Sequence, residues 1–233
     1  MLNWISSDIE LILLVETWEH DESRAPHLDG FTLWFGWNNK SSWRGFGGMA
    51  CYIRNTFSSH IRPHKIDPFN QYIWIEISDS TTNRIFLATW YFTPINSTSY
   101  KKNNLDNNCP FNYLNKDIFN LRNDGNVLLL RHFNNITATN QAITLSNNSN
   151  LDPLWLYEDS NLANKFNRNY EDIIENLFST ELLKLCSSQD LIICNGINKW
   201  PLFGEMTCFH VLGSSVLDYA ISDILVLNHI TNF

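Results

Sequence analysis

Charged residues are scarce in this sequence, and a basic surplus is absent. Only 17% of the 233 residues are charged, and the formal net charge is −8 at pH 7. This balance excludes the overall basic surface that drives nonspecific binding to nucleic acids or anionic membranes, so any nucleic-acid contact depends on local groups. The five cysteines are spread along the chain without a C-x-x-C pair. That spacing argues against both a disulfide framework and a zinc site.

Long apolar stretches are also missing. No run approaches the ~18 residues of a membrane span, and the first residues lack the basic and apolar regions of a secretory signal peptide. We therefore expect a soluble, intracellular protein without a membrane partner, either nuclear or cytoplasmic. Apolar residues make up 44% of the chain, which is enough for a folded core. The length and the lack of a linker predict a single domain over residues 1–233.

Short apolar runs bounded by turn residues predict a series of strands. The runs lie at residues 9–15, 31–37, 49–53, 72–77, 85–92, 127–130, 191–194, 206–210 and 217–221. Helical spacing predicts helices near residues 116–122 and 173–185. The Asn-rich segment 134–170 has no sustained periodicity, which predicts a long loop that is either functional or a disordered insertion. Together these elements predict an α/β fold with two sheets packed face to face, mostly antiparallel strands, and helices on the outer faces.

Polar side chains stand at the ends of four of these runs. Glu16 follows the first run, Tyr91 and Asn134 come at the end of two later runs, and Asp218 opens the last one. Metal-dependent phosphodiester cleavage needs oxygen ligands for Mg²⁺, a group that activates water, and donors for the phosphate. Taken singly, each residue also fits an ion pair, a turn cap or core packing. Their order along the chain carries more information than any one of them.

That order resembles the endonuclease/exonuclease/phosphatase superfamily, which has the DNase I-like fold. Within it, the sequence is most similar to non-LTR retrotransposon endonuclease domains and to craniofacial development protein 2-like proteins. The resemblance covers nearly the whole chain. It is carried by the strings DIELILLVETW (8–18), GGMACYIRN (47–55), WYFTPINSTSY (90–100), NVLLLRHFNNITA (126–138), LLKLCSSQDLIICNG (182–196) and GEMTCFHVLGSSVLDYAIS (204–222).

The resemblance implies a DNase I-like two-sheet sandwich, a Mg²⁺ cofactor and DNA as the substrate. It implies that Glu16 binds Mg²⁺ and that Tyr91 and Asn134 contact the phosphate. It also implies that Asp218 orients a catalytic His that lies in a terminal Ser-Asp-His motif. RNA and other phosphodiesters stay open as substrates, although the matching strings favour DNA.

The departures from the family pattern are as informative as the matches. Where the family has Gly-Asp before Phe-Asn, this chain has Arg131 and His132, so His132 replaces the carboxylate that polarises the attacking water. The strand with the family's Asn metal ligand would precede Met1, and no Ser-Asp-His motif follows Asp218. We therefore expect a copy truncated at both ends, with weak or no endonuclease activity. General-base catalysis by His132 itself is a less favoured interpretation.

Two alternatives stay open. Instead of an endonuclease domain, the first alternative is a non-catalytic nucleic-acid-binding module. The second is a fragment of a longer endonuclease and reverse transcriptase polyprotein. A binding module needs cations for phosphates and aromatic rings for stacking. The candidates are Arg44, Arg54, Arg62, His64, Lys65, Lys101 and Lys102 for phosphates, and Trp37, Trp43 and Tyr100 for stacking.

Overall fold

The computed structural model describes residues 8–17, 24–36, 48–66, 71–79, 83–92, 97, 100–101, 104, 110–132, 177–195, 208–210, 213–215, 218–227 and 229–230. Only the backbone is described at residues 35–36, 131–132, 177–178, 208–210 and 213–215. The chain divides into two compact units, Met1–His132 and Phe133–Phe233. The single domain over 1–233 stays a prediction, and the predicted loop at 134–170 lies outside the described residues.

Three strands of the first unit form an antiparallel sheet, which we call sheet 1. They are β1 (Leu11–Val15), β2 (Phe31–Gly36) and β3 (Met49–Arg54), in the spatial order β1-β3-β2. β3 is the central strand, and its residues are buried on both faces until Arg54. This explains why it lacks the alternation of apolar and polar residues that marks a half-buried strand.

Four strands of the first unit form a second, mixed sheet, which we call sheet 2. They are β4 (Ile61–Ile66), β5 (Tyr72–Ser78), β6 (Arg84–Tyr91) and β7 (Asn126–His132), in that spatial order. β4–β5 and β5–β6 are antiparallel, whereas β6 and β7 are parallel. Helix α1 (Pro110–Leu121) lies between β6 and β7 in the chain. Parallel neighbours need such a crossover, because a tight turn joins only antiparallel strands.

The two sheets of the first unit pack face to face. Alternate residues of β3, Met49, Cys51 and Ile53, form one core cluster with Ile73 and Ile75 of β5. All five side chains are at most 6% exposed. Because successive residues of a strand point to opposite faces, this cluster fixes which face of each sheet is inside the sandwich.

Helix α1 packs on the other face of sheet 2, as the sequence predicts for the helices. The Phe111 ring lies 5.8 Å from the Trp90 ring and 4.6 Å from the Phe92 ring. The Tyr72 hydroxyl donates to the Asp117 carboxylate at 2.9 Å. The buried stripe of the helix has the three- and four-residue spacing of an amphipathic helix; its members are Pro110, Phe111, Leu114, Asp117, Ile118 and Leu121.

The second unit contains shorter elements. These are α2 (Leu177–Ser188), β8 (Ile192–Ile193), β9 (Cys208–His210), β10 (Gly213–Ser215), β11 (Asp218–Ser222) and α3 (Ile224–Leu227). β8 pairs with β11, and β9 pairs with β10, both antiparallel. Helix α2 ends with Asp190 at φ 50° and with a hydrogen bond from the Leu191 N–H to the Cys186 carbonyl at 2.9 Å. This is the six-residue closure of a Schellman motif.

The structure differs from the sequence predictions in several elements. β4 is an additional strand; only Ile61 in it is buried, so it shows no apolar alternation. Helix α1 begins at Pro110, six residues before the predicted start at 116, because Pro is well suited to the first turn of a helix. β10 was not predicted either. Within the described residues, no helix combines the length and the apolar character needed to cross a membrane.

Candidate functional site

The carboxyl ends of β6 and β7 bring two of the predicted site positions side by side. The two strands are parallel, and their register pairs Trp90 with Arg131 and Tyr91 with His132. Neighbouring strands lie about 4.8 Å apart, so the two positions are adjacent in the sheet. Parallel strands end at the same edge, which is why residues 41 positions apart in the chain meet here.

Tyr91 is firmly held at this edge. Its N–H donates to the Gln71 carbonyl at 2.8 Å, and the residue is 8% exposed. The preceding Trp90 packs edge to face on Phe92, with 4.5 Å between ring centroids. Aromatic packing on both sides of Tyr91 in the chain therefore leaves its backbone little freedom.

Glu16 follows β1 in sheet 1 and has an unusual backbone conformation. Its φ is 55°, which is the left-handed region, and its side chain is partly buried. Glycine adopts this region without cost, but a residue with a Cβ does so only when its surroundings impose it. The next residue supplies one such constraint, because the Thr17 N–H donates to the Gly48 carbonyl at 3.3 Å.

Asp218 lies in the second unit and is the first residue of β11. Its side chain is partly buried. Its carbonyl accepts a hydrogen bond from the side-chain amide of Asn195 at 2.8 Å. Asn195 is a polar residue that the sequence analysis did not single out. Its only sequence signal is its position directly after a short apolar run, within the string LIICNG.

The structure therefore brings together some of the predicted residues and not others. Tyr91 and His132 are adjacent in sheet 2, and Glu16 stands on the other sheet of the same unit. Asp218 belongs to the second unit, and Asn134 lies outside the described residues. The roles that the resemblance implies for these residues stay predictions.

The donor set for a metal ion is incomplete in the described part of the chain. Across residues 8–230, with the gaps given above, no three His, Cys, Asp or Glu side chains lie close enough together to hold a metal. Mg²⁺ needs about six oxygen ligands and is usually held by one or two carboxylates plus waters and phosphates. Among the described residues, Glu16 is the carboxylate that follows β1 at this end of sheet 1, and one carboxylate by itself does not form a metal site.

Two cations predicted to contact phosphates are instead paired within the protein. Arg62 Nη2 lies 2.7 Å from Glu76 Oε1, and Lys65 Nζ lies 2.5 Å from Asp117 Oδ1. Both carboxylates are at most 10% exposed. A buried carboxylate without a cation is costly, so these ion pairs contribute to the stability of the first unit, and Glu76 also has Arg84 Nε at 3.6 Å.

Three more of the predicted contacts are engaged or covered. Arg54 Nε donates to the Ile9 carbonyl at 2.7 Å, and its guanidinium lies 4.7 Å from the centre of the Phe31 ring. The His64 ring packs edge to face on Phe86 at 5.2 Å. Tyr100 is only 7% exposed, so the prediction that it offers a stacking surface is wrong.

The remaining candidates for a nucleic-acid surface fall into two groups. Lys101 is exposed. Arg44, Lys102, Trp37 and Trp43 lie outside the described residues.

Comparison with known proteins gives matches at the level of structure. No family model matches the sequence. No curated protein sequence matches it either. The 3′ phosphatase NExo from Neisseria, solved with a product DNA hairpin, is 15% identical, with a TM-score of 0.55 over 94% of this chain and 78% of that chain. The catalytic domain of Xenopus laevis APE2 is 13% identical, with a TM-score of 0.56 over 95% of this chain and 76% of that chain.

A retrotransposon endonuclease is also among the similar structures. The endonuclease domain of TRAS1, a telomere-specific non-LTR retrotransposon, is 13% identical, with a TM-score of 0.45 over 83% of this chain and 65% of that chain. The two higher-scoring matches agree with the architecture of the first unit, in which two sheets form a sandwich and α1 covers the outer face of sheet 2. The chain therefore has the DNase I-like α/β sandwich fold.

Proposed function

We propose that this chain is a nuclease-type domain that binds DNA and cleaves it weakly or not at all. The observation that supports the proposal is the pairing of Tyr91 with His132 at the carboxyl end of two parallel strands. By resemblance, Tyr91 contacts the scissile phosphate and position 132 should carry the water-polarising Asp. The similar strings favour a retrotransposon-type endonuclease as the ancestor.

The charge at this strand end opposes the chemistry of the family. Replacing an Asp with His132 removes one negative charge, and Arg131 next to it adds a positive one. Both changes weaken the attraction for Mg²⁺, because the cation prefers anionic oxygen ligands. Losing a positioned general base typically lowers a rate by roughly 10² to 10⁴. Loss of the metal's stabilisation of the transition-state charge raises the activation barrier for cleavage by several kcal/mol more.

DNA as the partner is supported by the resemblance and by the fold. One protein of similar structure is described with a product DNA hairpin. The net charge of −8 and the internal pairing of Arg62 and Lys65 limit the number of free cations in the described chain. Each phosphate contact adds about one unit to the salt slope of binding. We therefore expect weak binding with a shallow dependence on salt concentration.

Nicking of supercoiled plasmid tests the catalytic part of the proposal. We expect the wild-type chain with Mg²⁺ to nick DNA at a rate close to that of Glu16→Ala, and both to match the same reactions in EDTA. His132→Asp alone should raise the rate little, because Arg131 remains beside it. Clear Mg²⁺-dependent nicking by the wild-type chain that disappears in Glu16→Ala would overturn the proposal.

Fluorescence anisotropy with a labelled duplex tests the binding part. We expect measurable binding at low salt that weakens as salt rises, with a smaller slope than the roughly −5 to −10 of proteins making six to ten phosphate contacts. If no binding is measured at the lowest salt concentration, the proposal that the chain binds DNA is wrong. A single-stranded RNA of equal length is the matched probe, and tighter binding to RNA would shift the proposal to that substrate.

A further inference from the structure

The pairing of β8 with β11 continues beyond the end of β8 through a side chain. β8 contains only Ile192 and Ile193, which pair with Ser222 and Ile221. Asn195 lies two residues further on and is 4% exposed. Its side chain makes two hydrogen bonds to β11.

The two hydrogen bonds have the pattern of a peptide group in a ladder. Asn195 Nδ2 donates to the Asp218 carbonyl at 2.8 Å, and the Ala220 N–H donates to Asn195 Oδ1 at 2.9 Å. Immediately before them, the Cys194 N–H donates to the Ala220 carbonyl at 2.8 Å. A carboxamide carries a donor and an acceptor in one plane, as a peptide does, so it can replace one rung of the strand.

We propose that Asn195 is the positioning residue for Asp218: its carboxamide, held between the Asp218 carbonyl and the Ala220 N–H, fixes the first residues of β11. The Asp218 side chain extends from the backbone that this bridge holds. This inference rests on the proposed function in one respect, because Asp218 has a functional role only if the site of the resemblance is present. The bridge itself is independent of activity.

Among side chains of this length, only asparagine offers both a donor and an acceptor in one planar group. Aspartate accepts from the Ala220 N–H but has no proton for the Asp218 carbonyl, and its charge repels that oxygen. Alanine removes both bonds and leaves a buried N–H without an acceptor, which costs about 1–3 kcal/mol for that group. Asn195→Asp and Asn195→Ala therefore separate the donor from the acceptor.

Amide hydrogen exchange measured by NMR tests the bridge in the full chain. In Asn195→Ala we expect the Ala220 amide to exchange at least about fivefold faster, which corresponds to the loss of one hydrogen bond of about 1 kcal/mol. In Asn195→Asp we expect its exchange to stay within about twofold of wild type. Asn123→Ala is the matched control, since the Asn123 side-chain amide also donates to a backbone carbonyl, Phe119 O at 3.4 Å, but at an exposed turn. It should change nothing at Ala220.

The carboxyl ¹³C signal of Asp218 tests the positioning. We expect it to shift in both Asn195 variants and to stay unchanged in Asn123→Ala. If Asn195→Ala does not fold, Asn195→Asp decides: a shifted Asp218 signal with a protected Ala220 amide supports the proposal. An unchanged Asp218 signal, or equal Ala220 exchange in wild type and Asn195→Ala, overturns it.

DNA binding tests whether Asn195 acts through Asp218 or only on the stability of the fold. We expect the duplex dissociation constant to rise in Asn195→Ala and in Asp218→Ala, and the double variant to be no weaker than Asp218→Ala alone. Additive losses would mean that Asn195 acts only on the stability of the fold, and they would overturn the positioning role. If the wild-type chain does not bind DNA, the proposed function fails, while the NMR result still decides whether Asn195 positions Asp218.

Discussion

The left-handed backbone at Glu16 predicts that this residue costs the protein stability. A residue with a Cβ at φ 55° pays about 1–3 kcal/mol, and glycine pays almost none of it. Glycine offsets about 0.5–1 kcal/mol of this gain in stability, because a glycine residue loses more conformational entropy on folding. The partly buried Glu16 side chain makes no ion pair among the described residues. We therefore expect Glu16→Gly to stabilise the chain by about 1 kcal/mol.

Urea unfolding and thermal unfolding, both followed by tryptophan fluorescence, measure this change. A gain of 1 kcal/mol should raise the melting temperature by roughly 2–4 °C in a chain of this length. Glu16→Ala separates strain from side-chain loss, because alanine keeps the Cβ and therefore the strain. It should be no more stable than wild type.

Asp190→Gly is the matched control in the second unit. Asp190 also has a left-handed φ of 50°, at the end of α2, where glycine is the preferred residue. This change should stabilise by a similar amount and leave DNA binding unchanged. If Glu16→Gly proves no more stable than Glu16→Ala, the strain argument is refuted.

Three further predictions concern the stability of the first unit. A Cβ at Gly125 would lie 2.6 Å from the Arg84 carbonyl, so Gly125→Ala should destabilise by about 1–3 kcal/mol in urea unfolding, and an unchanged midpoint would contradict the close approach. Asp117→Ala removes the hydrogen bond from the fully buried Tyr72 hydroxyl and the ion pair with Lys65, and it should cost about 1–3 kcal/mol; a loss under 0.5 kcal/mol would show that these contacts contribute little. Burial raises the pKa of the Cys51 thiol from 9.0 to about 12. The free energy of unfolding is therefore at its full value below pH 9 and falls as the pH rises towards 12, because the unfolded chain loses the thiol proton first. Cys51→Ala should show a smaller loss of stability over that pH range, and equal slopes for the two proteins would be evidence against the raised pKa.

Local sequence patterns were sufficient for the fold class and for several site positions. The apolar runs at β1, β5 and β7 identify strands: most of β5 is buried and it lies inside sheet 2, whereas β1 is a partly buried edge strand. Such runs also define their own ends, so Glu16 and Tyr91 could be assigned to strand ends without a structure. The two-sheet sandwich with mostly antiparallel strands was predicted correctly on this basis.

Partners distant in sequence could be found only in the tertiary structure. Arg62 and Lys65 resemble free cations in the sequence, because their carboxylates lie 14 and 52 residues away, on β5 and α1. The strand β4 that carries them escaped prediction because an exposed strand at the edge of a sheet has no apolar face to produce a pattern.

The arrangement of the candidate site was likewise decided by long-range packing. The crossover through α1 makes β6 and β7 parallel, and that alone sets His132 beside Tyr91. The bridge from Asn195 joins residues 23 positions apart, and Glu16, with its left-handed φ, precedes a hydrogen bond from the Thr17 N–H to the distant Gly48 carbonyl. A sequence determines which side chains are present at each strand end, because burial is encoded locally. Which of those ends become neighbours is decided by strand order and direction, and these depend on contacts across the whole unit.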